Sequence, residues 1–312
     1  MASVRLSVAL TALCVLGSVL GLAPARGAIL IDGYAAATND RFTNSTSFIA
    51  APYNLSGVGQ TSGSIWATLI SPDVIVTSNH VRPSGDVFFY AGNDPVSVAV
   101  VRQITGDTQR IGTSDLWLAR LSTPVDAPIA VYDFARVPLI GPPAVGSAIS
   151  VVPAGSYQNA EGFMVGQSPS ATVASQSQAV GRNRISGYAE DVNFLGGKVD
   201  SLILNYDRPG DLAYTQYESL VQGGDSGAPF FIDQGGPLLL LGINSFQLQN
   251  AMSVPIGSGI NYIGNYAAEI DAFVASPTAV PEPASFAALL TALAAAGWRS
   301  RGFRVQVSGK RH

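Results

Sequence analysis

The chain has 312 residues, of which 47% are hydrophobic and 12% charged, with a formal net charge of −4 and one cysteine. Positions 28–279 hold 10 Lys and Arg against 20 Asp and Glu, and a body about ten charges negative excludes nucleic acid as its natural partner. No phosphate-binding glycine loop, His-Glu-x-x-His or paired metal-ligand spacing occurs, so no cofactor is expected, and a metal site would have to be built from carboxylates alone.

Residues 1–27 open with Arg5, run through an apolar stretch over 8–16 and end in Ala25-Arg26-Gly27. That order of charge, apolar run and small residues is that of an export signal. Cys14 follows a leucine inside the run, which speaks against a lipid anchor. Removing the signal leaves a mature chain without disulfides or thiolate ligands, and bacterial export is the expected setting.

The body, 28–279, reads as almost entirely β, with short runs of Val, Ile, Phe and Tyr broken by Gly, Pro, Asn and Asp. Strands are predicted near 64–70, 73–77, 86–91, 96–104, 115–121, 147–152, 171–179, 199–206, 228–232, 237–245 and 259–263. Only 266–274, with Ile270, Phe273 and Val274 on one face, reads as a helix. Residues 137–143 look like a crossover between two β units. The Ser-, Gln-, Ala- and Gly-rich stretch 155–185 is expected to be in part a mobile surface loop.

The chemistry concentrates in Gly223-Gly224-Asp225-Ser226-Gly227-Ala228-Pro229. Glycines on both sides of Ser226 allow a tight turn that exposes the hydroxyl and brings the N–H groups of Gly224 and Ser226 together as an oxyanion hole. A serine needs a base to become nucleophilic. The chain has two histidines, and His312 ends a basic tail, which leaves His80, after the strand-like Val74-Ile75-Val76-Thr77-Ser78-Asn79.

The His80 segment and the Gly-Asp-Ser-Gly turn resemble the two catalytic motifs of the trypsin-like serine peptidases. Ser114-Asp115-Leu116-Trp117-Leu118-Ala119-Arg120-Leu121 resembles that family's aspartate motif, and Leu241-Gly242-Ile243-Asn244-Ser245-Phe246 its substrate-pairing strand. The resemblance covers about 60–275. It implies two six-stranded antiparallel β-barrels, about 45–137 and 144–275, with a short C-terminal helix. It also implies a His80, Asp115, Ser226 triad acting on polypeptides through an acyl-enzyme. Asp94 and Asp107 compete with Asp115 for the acid's place. Ser245 and Phe246 would pair with substrate backbone, and Gly259 would be a pocket-wall glycine leaving room for a sizeable side chain. Leu220 would form the pocket floor, with Ser219 or Glu218 taking its place if the count is gapped. Trypsin-like zymogens pair a freed N-terminus with the aspartate before the nucleophile, here Asp225, but Ala28-Ile29-Leu30-Ile31-Asp32-Gly33 matches that terminus only loosely. A different class of function, a catalytically silent relative that binds at the cell surface or in the extracellular matrix, competes with the enzyme reading.

Over 280–312, Val280-Pro281-Glu282-Pro283 precedes an apolar run to Trp298 and then Arg299, Arg301 and Arg304. This resembles a PEP-CTERM sorting signal, which implies an exosortase-type processing partner and a cell-surface or matrix destination. The apolar run is shorter than the ~20 residues that span a bilayer comfortably, so insertion is expected to be transient.

Overall fold

The computed structural model describes residues 27–139 and 157–276. The chain divides into compact units 1–274 and 275–312, and of the second only Ala275 and Ser276 are among the described residues. The predicted strand at 147–152 and the sorting-signal segment lie outside them.

A short strand β1 (Leu30–Ile31) and a helical turn α1 (Ala36–Asn39) come first. Then β2 (Val58–Thr61), β3 (Trp66–Ser71), β4 (Val74–Ser78), β5 (Asp86–Tyr90), β6 (Ala99–Arg110) and β7 (Leu116–Leu121) close into a barrel in the order β2-β3-β4-β7-β6-β5. The next strand, β8 (Asp133–Phe134), already belongs to the second sheet with β9 (Glu161–Gly166), β10 (Ala179–Phe194) and β11 (Gly197–Asn205). After β12 (Ser219–Leu220), which pairs with β1, come β13 (Pro229–Asp233), β14 (Leu238–Gln249) and β15 (Pro255–Tyr262). The sheet order is β13-β9-β10-β11-β15-β14-β8, and a further β13–β14 pairing closes its six antiparallel strands on themselves, with β8 a parallel edge. The helix α2 (Ala267–Ala275) follows. The protein is therefore all-β with two six-stranded rings and a short C-terminal helix, the expected fold class.

Period-2 alternation explains why β3, β4 and β7 read as unbroken apolar runs. Ile75, Trp117, Ala119 and Leu121 fill the first barrel together with Leu69, Val87 and Phe89. Their neighbours Val74, Val76, Leu116 and Leu118 point the other way, into the larger core shared with Phe230, Phe231, Leu241 and Ile260. A strand buried on both faces has no polar side to show.

Two expectations fail. Of the expected strand 171–179, residues 171–178 form a loop with one 3-10 turn at Ala174–Gln176, and only Ala179 belongs to β10. Conversely, 161–166 and 180–185, within the stretch 155–185 expected to be in part a mobile loop, are paired core strands with Phe163, Met164, Val165 and Val180 buried. Glycine at 162 and 166 hid them: a Cβ at Gly162 would lie 2.4 Å from the Phe230 ring, so the glycine is there to admit an aromatic neighbour. Of the expected crossover 137–143, residues 140–143 lie outside the described residues; before it, Phe134 already pairs with Leu240 of the second sheet.

Candidate functional site

His80 stands just after β4 and Asp115 just before β7, strands paired with Ser78 opposite Leu116, so the antiparallel register brings the two residues together. Asp115 Oδ2 lies 2.7 Å from His80 Nδ1, and its Oδ1 accepts the His80 backbone N–H at 3.0 Å. The second ring adds Ser245, whose hydroxyl donates to Asp115 Oδ2 at 2.8 Å. The Asn261 amide, with its oxygen turned toward β7, accepts from the backbone N–H groups of Asp115 and Leu116 at 3.2 and 3.3 Å. Asp115 is 3% exposed, and its two carboxylate oxygens are held in place by these bonds from His80 and Ser245. The competing aspartates are engaged elsewhere. Asp107 pairs with Arg120 at 2.9 Å, and Asp94 caps its own turn through the Val96 N–H.

Ser226 lies on the loop between β12 and β13. The loop turns through Gly224 at φ +104 and Gly227 at φ +91, both in the region that favours glycine. Gly227 is also needed sterically, because a Cβ there would sit 2.3 Å from Thr77 Oγ1 and 3.3 Å from Ser78 N. The loop is thus seated on the end of β4, two residues before His80. Trp66 Nε1 donates to Gly224 O at 3.0 Å, and Gln167 Nε2 donates to the same carbonyl at 3.4 Å. Among the described residues nothing accepts from the N–H of Gly224 or of Ser226. Gly224 is exposed and Ser226 half-buried, so these two donors are free to receive an external oxygen.

Asp225 faces inward. It is fully buried, accepts from Gln167 N and Gln222 N at 2.7 Å each, and burial pushes its carboxyl up to about 8 despite those two bonds. The segment 27–31 passes beside it: a Cβ at Gly166 would meet both Ile29 Cβ at 2.6 Å and Asp225 Oδ1 at 2.7 Å.

The expected pocket residues depart from expectation. Leu220 is 1% exposed and pairs with Leu30 in a two-stranded ribbon, so it is no open floor. Ser219 donates to Arg182 O, and the fully buried Glu218 turns its carboxyl to the Thr215 N–H, with burial raising it to about 7. At Gly259 the room is taken, for the Phe246 ring lies where a side chain would start, 2.2 Å from the Cβ position. Phe246 also packs on Phe194 at 5.3 Å between centroids, and Phe194 meets the His80 ring edge-on at 5.2 Å. Phe194, Asn261 and Trp66 carry no sequence signal of their own. Phe194 sits at a hairpin tip far along the chain, and the other two look like ordinary core residues. Among the described residues no group of three His, Cys, Asp or Glu is arranged to hold a metal, and no helix is long and apolar enough to cross a membrane.

No family model matches the chain, and no curated protein does. Solved structures do. A double mutant of human heparin binding protein is 14% identical, covering 74% of this chain and 96% of its own at a TM-score of 0.47. An inactive serine-to-alanine mutant of Rv3671c from M. tuberculosis is 17% identical over 74% and 91%, at 0.44. The NS6 protease of murine norovirus 1 is 13% identical over 70% and 96%, at 0.41.

Proposed function

We propose that the protein is an exported serine endopeptidase that hydrolyses polypeptides through an acyl-enzyme on Ser226. The observation that carries this reading is the His80 Nδ1 to Asp115 Oδ2 contact of 2.7 Å, with Ser245 on the same carboxylate oxygen. With Nδ1–H donated to Asp115, the neutral imidazole keeps the lone pair on Nε2 and can accept the Ser226 proton as the hydroxyl attacks the peptide carbonyl. The carbonyl oxygen, turning anionic, would take the N–H groups of Gly224 and Ser226. His80 then returns the proton to the leaving amine, and a second cycle with water frees Ser226.

A fluorophosphonate probe with peptide hydrolysis as the second readout tests this. Ser226→Ala and His80→Ala are each expected to abolish labelling and to lower kcat by roughly 10⁴ to 10⁶, because the residues act as a unit. Asp115→Asn is expected to lose about 10⁴ by favouring the wrong imidazole tautomer. Undiminished turnover in Ser226→Ala would point to another nucleophile, whereas no labelling and no hydrolysis by the wild type would leave the silent, binding-only reading.

The same reading extends to the ends of the chain. Pro281-Glu282-Pro283, the apolar run and the arginines fit removal by an exosortase-type enzyme after transient membrane insertion. Native extracellular protein should then have an intact mass lacking the residues beyond this motif. A mass that includes Trp298 would point to a retained anchor.

A further inference from the structure

Two chain segments leave the nucleophile in different directions. They are pinned together at one point, where Gly227 N donates to Asn244 O at 2.9 Å and Asn244 N to Ala228 O at 2.8 Å. From that crossing, 226 back to 221 runs one way and 245 to 247 along β14 runs the other, and the two form a wedge with Ser226 near its apex. On the peptidase reading, a substrate carbonyl held by Gly224 and Ser226 would lead its acyl-side side chain between these segments, because one carries the serine and the other is bonded to its turn.

The wedge is closed. Gln247 Nε2 donates to Val221 O at 2.7 Å, and Val221 N donates to Ser258 Oγ, opposite Gln247 on β15, at 3.0 Å. Both polar groups of the Val221 main chain are therefore tied to the β14–β15 pair. Of the two residues between the crossing and this strap, Ser245 is directed to Asp115, and the Phe246 ring covers Gly259. Three residues of strand amount to about 10 Å, and at that distance from the crossing Gln247 bridges the two segments.

We propose that Gln247 is the specificity-determining residue of this site and that its strap restricts the acyl-side residue to Gly, Ala or Ser. The proposal rests on the peptidase reading, and it replaces the roomy pocket the sequence implied with a bridged one. Gln247 is half-buried and donates one bond to a main-chain carbonyl, so an arriving bulky side chain must break that bond and displace the strap without a replacement donor for Val221 O.

Peptide-library profiling of wild type, Gln247→Gly and Gln247→Glu tests it. Gly removes the strap, and Glu keeps its length but cannot donate to Val221 O as a carboxylate. Wild type should favour Ala over Phe or Leu at the acyl position by tenfold or more in kcat/KM. Both variants should shrink that ratio at least tenfold, and a wild type that cleaves after Phe as readily as after Ala, or an unchanged ratio in Gln247→Gly, overturns the strap. Indole needs no nucleophile and provides the second arm. Followed by amide shifts at Val221 and Ser245, it should bind Gln247→Gly and not wild type, whereas equal binding, or none to either, also overturns the proposal. Selective indole binding with no hydrolysis by any of the proteins would mean that the peptidase reading fails and the strap stands.

Discussion

Asp225 is the residue whose chemistry is least settled by its neighbours. Its carboxyl has two backbone donors and no cation acting on it, and burial raises it from 3.8 to about 8. Glu218 is raised in the same sense, from 4.5 to about 7. For both, the folded protein binds the proton more tightly than the unfolded chain, so their contribution is complete below about pH 4 and is lost as pH rises toward 8. Thermal stability should therefore fall between pH 5 and 8, and Asp225→Asn should flatten part of that fall. Calorimetry across the range checks it. A profile in wild type that is flat or rises would mean that Asp225 is ionised and paired, as it would be if a mature N-terminus near Ile29 reached it. By contrast, the Asp115 carboxylate takes the His80 backbone N–H and the Ser245 hydroxyl, while its own backbone N–H is held by the Asn261 amide oxygen from β15.

At the scale of elements, the β10–β11 hairpin is what the sequence concealed. β10 runs to Phe194, the turn passes through Leu195 at φ 45 and Gly196 at φ +77, and Lys198 N then donates to Thr113 O at 3.0 Å. The hairpin thereby reaches the first barrel next to Asp115 and lays Phe194 against His80. Phe194→Ala should lower kcat/KM about 3- to 10-fold, the worth of one aromatic contact, with little change in melting temperature because the tip is half-buried at most. Progress curves and a melt on the same sample would show it; a large loss of stability with unchanged kinetics would make the ring a packing residue only. Legibility followed the physics of each element. β3, β4 and β7 were visible because both their faces are apolar, and His80, Asp115 and Ser226 because each lies within a few residues of such a strand. β9 and the start of β10 were not, since their glycines are spaces reserved for Phe230 and Ser219 from elsewhere in the chain. Gln247 and Phe194 were invisible for a related reason, as their partners Val221 and His80 are distant in sequence.

At the scale of the molecule, the described residues of unit 1–274 are joined by buried polar ties between elements far apart in the chain. Arg41, fully buried, donates to Leu55 O, Tyr90 O and Gln178 Oε1 at 2.6 to 2.9 Å, joining the N-terminal segment, the first barrel and the approach to β10. Its acceptors are neutral, and desolvation lowers it to about 10, so it remains a cation at neutral pH stabilised by hydrogen bonds alone. Arg120, 2% exposed, works in the other direction, pairing with Asp73 and Asp107 while donating to Phe273 O in the terminal helix. The site lies where these parts meet. His80 and Asp115 come from one ring, while Ser226, Ser245 and Asn261 come from the other. Fixing Asp115 therefore requires both rings to be in register.

Trp66 gives that arrangement an optical consequence. Its indole is wholly shielded from water, belongs to the first barrel, and ends on the Gly224 carbonyl of the loop that carries Ser226. One of three tryptophans in the chain, it is a built-in fluorophore attached to the Ser226 loop of the opposite ring. A phosphonate on Ser226 that draws on the Gly224 N–H acts on the residue whose carbonyl Trp66 holds, so any shift of this loop changes the indole's polar partner. Covalent modification should therefore announce itself as a shift in intrinsic emission that disappears in Trp66→Phe, and emission that stays constant through full labelling would show that the loop receives its substrate without moving.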